Sequence, residues 1–342
     1  MKLKTLLIFT SILFVTSLFV YMNENKRGTD LLAGSDYIKG LDVNKIQKIS
    51  LSFGDNKKIT LTRDLNRFVL ENYKSYPASV SKVNDLIYKI ASIQVREKVS
   101  SDVSKDDLIN YELSDDKRKY LVELFDNDGK KTISFVVGKS HKGKGNYLFR
   151  EGKNEIYLSE ESLWLNSSYK DFINTVLLEV KEEDIEKLWL TSDKKLEIVK
   201  KDKEFVFEGP LDNKFKKEKA QKFAKSFSSI QFDDFYSLAE PMVQTLNFNK
   251  DIKIKLKNKL IYKISFAKEK EDHFVKLTAL LDEEPRSFII RQDDSKQELQ
   301  MIEDVIKAQT EAQRINREKG PWVYKISKSV YENLAKDSTF FL

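Results

Sequence analysis

The most constraining feature of this chain is that it repeats itself. Phe68-Val69 recurs as Phe205-Val206, and Ser92-Ile93-Gln94 recurs as Ser229-Ile230-Gln231, both 137 positions later. Between those anchors Val83, Leu86, Ile87 and Ile90 stand at i, i+3, i+4 and i+7, the apolar stripe of a helix. Ala220, Phe223, Ala224 and Phe227 repeat that stripe at the same offset of 137. A helical period alone can recur by chance. An offset shared by strand, helix and helix exit marks a duplicated unit, and a repeat has to be read before any fold is assigned.

Each copy reads as strands, then a helix, then strands. In the first, Ile46, Ile49 and Leu51, then Ile59 and Leu61, then Phe68 and Leu70 mark three short strands, with Gly54-Asp55-Asn56 as the first turn. The helix follows Pro77, with Ser79 or Ser81 as its N-cap. Tyr120, Val122 and Leu124 alternate, Asp126 to Gly129 supplies turn chemistry, and Ile133 and Phe135 alternate back, which is a hairpin. The second copy does the same with Ile252, Ile254 and Leu256, a turn at Lys257 to Lys259, and Leu260, Tyr262, Ile264 and Phe266. Each copy closes on a strand and short helix, near Tyr157 and near Tyr324.

The second copy also carries an insertion at about 293–319, read as a long helix beginning at Asp294 or Ser295. Leu299, Ile302, Ile306 and Ile315 lie near one face, which either packs on the unit's own sheet or meets a partner. Hairpins outnumber crossovers, so the expected fold class is α+β. Two tandem related units are expected, 43–180 and 181–342, each a mainly antiparallel sheet with a packed helix, following an N-terminal transmembrane helix.

That transmembrane segment is read at residues 1–22. Lys2 and Lys4 precede an uncharged apolar run from Thr5 to Met22. Eighteen residues of helix span roughly 27 Å, close to the hydrocarbon thickness of a bilayer. A cleaved signal peptide needs a shorter run and small residues at the cut. This run ends Phe19-Val20-Tyr21-Met22 with no small-x-small site at its border, so it reads as a retained signal anchor. The slight excess of positive charge before the span places that end in the cytoplasm and the bulk of the chain in the periplasm or exterior. Residues 23–42, with three glycines and no sustained period, read as a linker.

Composition removes several chemistries. With no cysteine, disulfides, thiolate nucleophiles, iron–sulfur clusters and cysteine zinc sites are all excluded. The 60 basic and 54 acidic residues nearly balance, without a one-sign block or a nucleic-acid reading motif, so a nucleic-acid partner is not expected. The stretch from Gly138 to Gly145, "GKSHKGKG", satisfies the first seven positions of a phosphate-binding loop. Its eighth is Gly145, where the motif needs a hydroxyl for magnesium, and its exit reads as strands rather than a helix. It is expected to be a turn, and no nucleotide is expected.

His141 and His273 have no metal spacing and read as surface residues. The segment near Asp126 resembles a calcium loop, but its first and twelfth positions are Leu124 and Phe135, where calcium needs oxygen. Asp115-Asp116, Glu160-Glu161 and Asp233-Asp234 are neighbours, and neighbours on a strand point to opposite faces, so adjacency assembles no acid–base pair. No serine sits in a nucleophile elbow. No catalytic, cofactor-binding or metal residue is therefore assigned, and no cofactor.

The order of elements resembles a bacterial family, the domain-of-unknown-function family numbered 4340. The residues carrying the resemblance are "IQKISLSFGDNKKITLTRD", "VSKVNDLIYKIASIQVREKVS", "LINYELSDDKRKYLVELFDNDGKKTISFVVGK" and "GNYLFREGKNEIYLSEESL". They cover most of 43–180, with the second half matching more loosely. Tyr111 and Leu113 before the hairpin and Gly138-Lys139 after it fit the family's pattern, whereas Phe68-Val69 stands where the family commonly has tryptophan and valine.

The resemblance implies an envelope accessory protein of an ABC-type transport system, since such members occur beside gliding-motility-type ABC transporter components. It carries over no catalytic residue. The expected function is therefore a non-catalytic, single-pass protein of the bacterial inner membrane that binds ABC transporter subunits or other envelope proteins. The alternatives are a solute- or glycan-binding module and, below it, a glycan hydrolase built from carboxylates distant in sequence.

Overall fold

In the computed structural model, which describes residues 31–54, 57–191, 195–207, 215–282 and 295–342, period-two burial builds the sheets. The chain divides into two units, one ending at Ile173 and the other running Asn174–Leu342. Both are mostly antiparallel sheet with a few helices, an α+β architecture.

The first unit opens with β1 (Leu31–Asp36), β2 (Lys48–Phe53), β3 (Lys58–Asp64), β4 (Arg67–Leu70) and β5 (Tyr76–Pro77). Helix α1 (Val80–Ala91), β6 (Gln94–Ser100) and helix α2 (Lys105–Asn110) follow. The unit closes with β7 (Tyr120–Phe125), β8 (Lys131–Ser140), β9 (Asn146–Arg150) and β10 (Glu155–Ser159). The ten strands lie in the order β1-β6-β10-β9-β8-β7-β2-β3-β4-β5.

Strand β7 shows the period: Tyr120, Val122 and Leu124 are buried, while Leu121, Glu123 and Phe125 are half-buried. The alternation stops in β8 and β9, where Phe135 to Gly138 and Asn146 to Phe149 are buried without interruption. Such runs arise where both faces of a sheet are covered. One cover comes from α2 and the residues after it. Leu113, Val136, Tyr147, Phe149, Ile156 and Leu158 form a cluster there, closed by Leu108 and Tyr111. Helix α1 buries Val83, Leu86, Ile87 and Ile90, and Ser79 at its N-cap makes no side-chain cap bond. Four buried aliphatic side chains, at about 1.5–3 kcal/mol each, outweigh a missing cap worth about 1 kcal/mol.

The second unit contains β11 (Val176–Leu178), β12 (Ile185–Thr191), β13 (Lys195–Lys201), β14 (Glu204–Phe207) and α3 (Lys217–Lys225). It continues with β15 (Ile230–Gln231), β16 (Asp234–Ser237), α4 (Pro241–Gln244), β17 (Phe248–Leu256), β18 (Leu260–Glu269) and β19 (Asp272–Leu281). Helix α5 (Lys296–Glu318), β20 (Trp322–Ile326) and α6 (Lys328–Leu334) complete it. Its main sheet runs β14-β13-β12-β17-β18-β19-β20-β16, and β11 pairs with β15 apart from it. Val243 of α4 packs with Ala267, Phe274 and Val323 on one face.

Helix α5 starts at a capping box in which Ser295 Oγ accepts the Glu298 N–H and Glu298 accepts the Ser295 N–H. Its second half packs on the unit's own sheet through Ala308, Ala312 and Ile315, whereas Leu299, Met301 and Ile306 of its first half are exposed. Against β19, strand β20 reaches no farther than His273 to Val275. Farther along β19, Asn316 of α5 takes over as partner. Its amide donates to the Ala279 carbonyl at 2.7 Å and accepts the Ala279 N–H at 2.8 Å.

Two expectations are corrected. The segment 23–42, read as a linker, carries β1, which pairs with β6, and then buries Tyr37 and Ile38. An edge strand is held by main-chain hydrogen bonds along one side, so it needs no alternating pattern to form. No short helix follows at once after β10; the next helical turn is a 3-10 turn at Tyr169–Phe172. The expected membrane segment at residues 1–22 lies outside the described residues. Among the described residues no helix is long and apolar enough to cross a membrane.

The end of α5 generates a test. The Lys319 ammonium is buried on the carbonyls of Val176, at 3.0 Å, and Leu177, at 2.5 Å. Burial, and secondly the charge of Arg314, lowers its pKa from 10.5 to about 8. Between those values the folded state has released the proton while the unfolded chain still holds it. The group's contribution therefore rises with pH across that window and is absent below it. The unfolding free energy of the wild type relative to Lys319→Met, from chemical denaturation, should rise by about 2 kcal/mol between pH 8 and 10. A difference that does not move with pH would contradict this account.

Candidate functional site

The near-phosphate loop turns out to be a hairpin connection between β8 and β9, with no helix at its exit. Its glycines serve close backbone packing. A Cβ on Gly138 would sit 2.2 Å from the Tyr111 carbonyl oxygen, and one on Gly145, at φ +76°, would sit 2.0 Å from that of Ser159. Gly143 also has a positive φ, +75°, but nothing lies within 4 Å of its Cβ position. His141 Nδ1 lies 2.7 Å from the Tyr147 hydroxyl, so the histidine is taken up in local packing.

Beneath the loop lies a buried polar network. Asn146 is fully buried, and its amide donates to the Gly138 carbonyl at 3.0 Å and accepts the Leu163 N–H at 2.9 Å. Its own N–H donates to Ser159 Oγ at 2.8 Å, and that hydroxyl donates to the Glu161 carbonyl at 2.7 Å. The network ties the irregular chain after β10 to the β8–β9 hairpin. What it presents is Trp164, 68 % exposed, with the Lys119 ammonium 3.8 Å from its ring centroid.

Two clefts share the wall Glu160, Glu161, Ser162 and Trp164. One, of about 360 Å³, is completed by Lys89, Ser92, Ile93, Gln94, Ser159 and Leu163. The other, of about 450 Å³, is completed by Arg96, Ser140, Gly143, Lys144 and Gly145. Volumes of this size lie at the low end of the range for small-ligand sites. This is the candidate site. Sequence reasoning missed it because its lining comes from three separated segments, 89–96, 140–145 and 159–164. The one available signal was a tryptophan, Trp164, in the stretch after β10 whose sequence reads as a short helix and whose chain is irregular.

The remaining candidates are taken up in structure. Asp126 Oδ1 accepts the N–H groups of Asp128 at 3.1 Å and Lys130 at 2.9 Å, closing the β7–β8 turn, while Leu124 and Phe135 are buried in the calcium-ligand positions. Asp115 pairs with Arg118. Asp234 accepts the N–H of Phe235 at 2.9 Å, and Glu160 Oε1 accepts that of Gly34 at 2.7 Å. His273, expected at the surface, is instead buried against Tyr331, and burial lowers its pKa. Its position on a strand pairing with both β18 and β20 puts it inside the sheet. Among the described residues no three His, Asp or Glu side chains come together as a metal site.

The network and the loop make separable predictions for thermal or chemical unfolding. Gly143→Ala should cost about 1 kcal/mol, the price of the left-handed backbone alone. Gly145→Ala adds the collision with Ser159, and Asn146→Ala strands the Leu163 N–H and the Gly138 carbonyl, so each should cost about 3 kcal/mol. Equal effects of the two glycine substitutions would refute the close-packing role.

No curated protein and no solved structure matches the chain. A family model does, the one described as Domain of unknown function (DUF4340), over residues 69–251, from β4 of the first unit into β17 of the second. With more than half of the 342 residues matched, the chain belongs to that family.

Proposed function

We propose that this protein is a membrane-anchored, non-catalytic accessory of an ABC-type transport system in the bacterial envelope. Residues 1–22 would hold it in the inner membrane by a single pass, with the bulk of the chain in the periplasm or exterior. The observation that carries this reading is the apolar run from Thr5 to Met22, followed by more than 300 residues in which the adjacent carboxylates and both histidines are engaged locally or stand apart. Family membership supports it through the resemblance to proteins that stand beside transporter components.

The two units are read as copies of one design. Supporting this, the orders β4-β3-β2-β7-β8-β9-β10-β6 and β14-β13-β12-β17-β18-β19-β20-β16 agree position by position. The 137-residue offset, found in sequence between Phe68 and Phe205, falls on the equivalent strands β4 and β14. A duplicated sheet protein offers two related surfaces, which suits an accessory bridging components of one complex better than a single-substrate enzyme.

The test is a pull-down of the full-length protein from native membranes after crosslinking, read by mass spectrometry against a control lacking residues 1–22. Recovery of ABC transporter subunits with the full chain, and their loss with the control, is the expected result. Recovery of the protein alone from well-solubilised membranes would contradict the accessory role.

A further inference from the structure

The clefts beside Trp164 carry an inference independent of the anchor and of the transporter. We propose that this face of the first unit binds a glycan chain, with Trp164 as the stacking platform and Gln94, Arg96 and Glu161 as the groups that hydrogen-bond its hydroxyls.

Three observations lead there. First, a large aromatic side chain is 68 % exposed yet held in place: the Asn146–Leu163 hydrogen bond fixes the preceding residue, and Lys119 covers one ring face. A fixed aromatic ring with an open face is an amphipathic platform that loses little entropy on binding. Second, the surrounding groups are polar and unspent. Arg96 touches only the Glu160 carbonyl at a long 3.4 Å, and the Gln94 side chain, the Glu161 carboxylate and the Lys144 ammonium have no hydrogen-bond or ion-pair partner among the described residues. Third, the wall that carries Trp164 is shared by two clefts, so a ligand can run from one to the other past the ring.

The chemistry selects the class. A protein hot spot sets its tryptophan within a desolvated apolar core, whereas Ile93 and Leu163, the apolar residues lining these clefts, are both buried. Phosphate recognition would use the amides of the glycine loop. Instead Gly145 is packed against Ser159, and the His141 N–H already donates to the Gly145 carbonyl at 3.2 Å. Lys89, Arg96 and Lys144 line these clefts together with Glu160 and Glu161, so the charges are mixed and give no strong one-sign field. A ligand rich in hydroxyls, with sugar faces to stack and hydroxyls to accept and donate, matches that mixture.

The experiment uses the full-length chain in phosphatidylcholine nanodiscs, which present no sugar headgroup. Cellohexaose, chitohexaose and hexagalacturonate are titrated separately, read by calorimetry and by tryptophan emission. At least one should bind saturably with a shift in emission, and the three arms separate a neutral, an N-acetylated and an acidic preference. Trp164→Ala should weaken that binding about tenfold, and Gln94→Ala or Arg96→Ala severalfold, with the unfolding temperature unchanged because all three side chains reach solvent. Absence of saturable binding by all three oligosaccharides would overturn the proposal. So would binding that Trp164→Ala leaves intact.

Discussion

The first unit depends on one buried amide. Asn146, with no exposure to solvent, satisfies a carbonyl near the end of β8, accepts the N–H of Leu163, and donates its own N–H to the Ser159 hydroxyl at the end of β10. An unsatisfied buried polar group costs about 1–3 kcal/mol, so a network that satisfies these groups on three segments at once favours one arrangement of them. The glycines serve the same end sterically. With a hydrogen in place of Cβ at Gly138 and Gly145, the hairpin can close on the Tyr111 and Ser159 carbonyls. A motif that begins like a phosphate loop is thus spent on packing the protein against itself, and the chain it secures is the one that displays Trp164.

The second unit meets a comparable need differently. Its strand β20 is too short to cover β19, and Asn316, projecting from α5, pairs with Ala279 where no strand reaches. A side-chain amide carries both donor and acceptor groups and can stand in for a neighbouring strand at a single residue. The helix that supplies it is an insertion between β19 and β20; at the equivalent place in the first unit, β9 and β10 are joined only by the 3-10 turn Glu151–Lys153. The insertion thus has a role in completing its own sheet, while Leu299, Met301 and Ile306 at its other end remain in solvent.

Much of this fold was legible in the sequence. Alternation placed β7, β8, β17 and β18, and the stripe of Val83, Leu86, Ile87 and Ile90 placed α1, because burial on one face leaves a period that residue types report. What could not be read is held by contacts without a period. Strand β1 is an edge strand in a glycine-bearing stretch, fixed by main-chain pairing to β6. His273 gives no local sign of the neighbours on either side that bury it. The clefts around Trp164 draw on residues between Lys89 and Trp164, and only the sheet order β6-β10-β9-β8 brings them to one place. Sequence reading did place the glycine loop as a strand-to-strand turn, since the strand at its exit is a local fact.

The central claim is that a buried amide rigidifies an irregular segment so that Trp164 is displayed in a fixed position. Residue-resolved amide hydrogen exchange on the full-length protein tests it most directly, because protection follows the free energy of opening rather than secondary structure. The account predicts that the Leu163 amide exchanges at the slow rate of the β8 and β9 core, far more slowly than Asn166 and Ser167 a few residues on. Leu163 exchanging as fast as those exposed neighbours would contradict it.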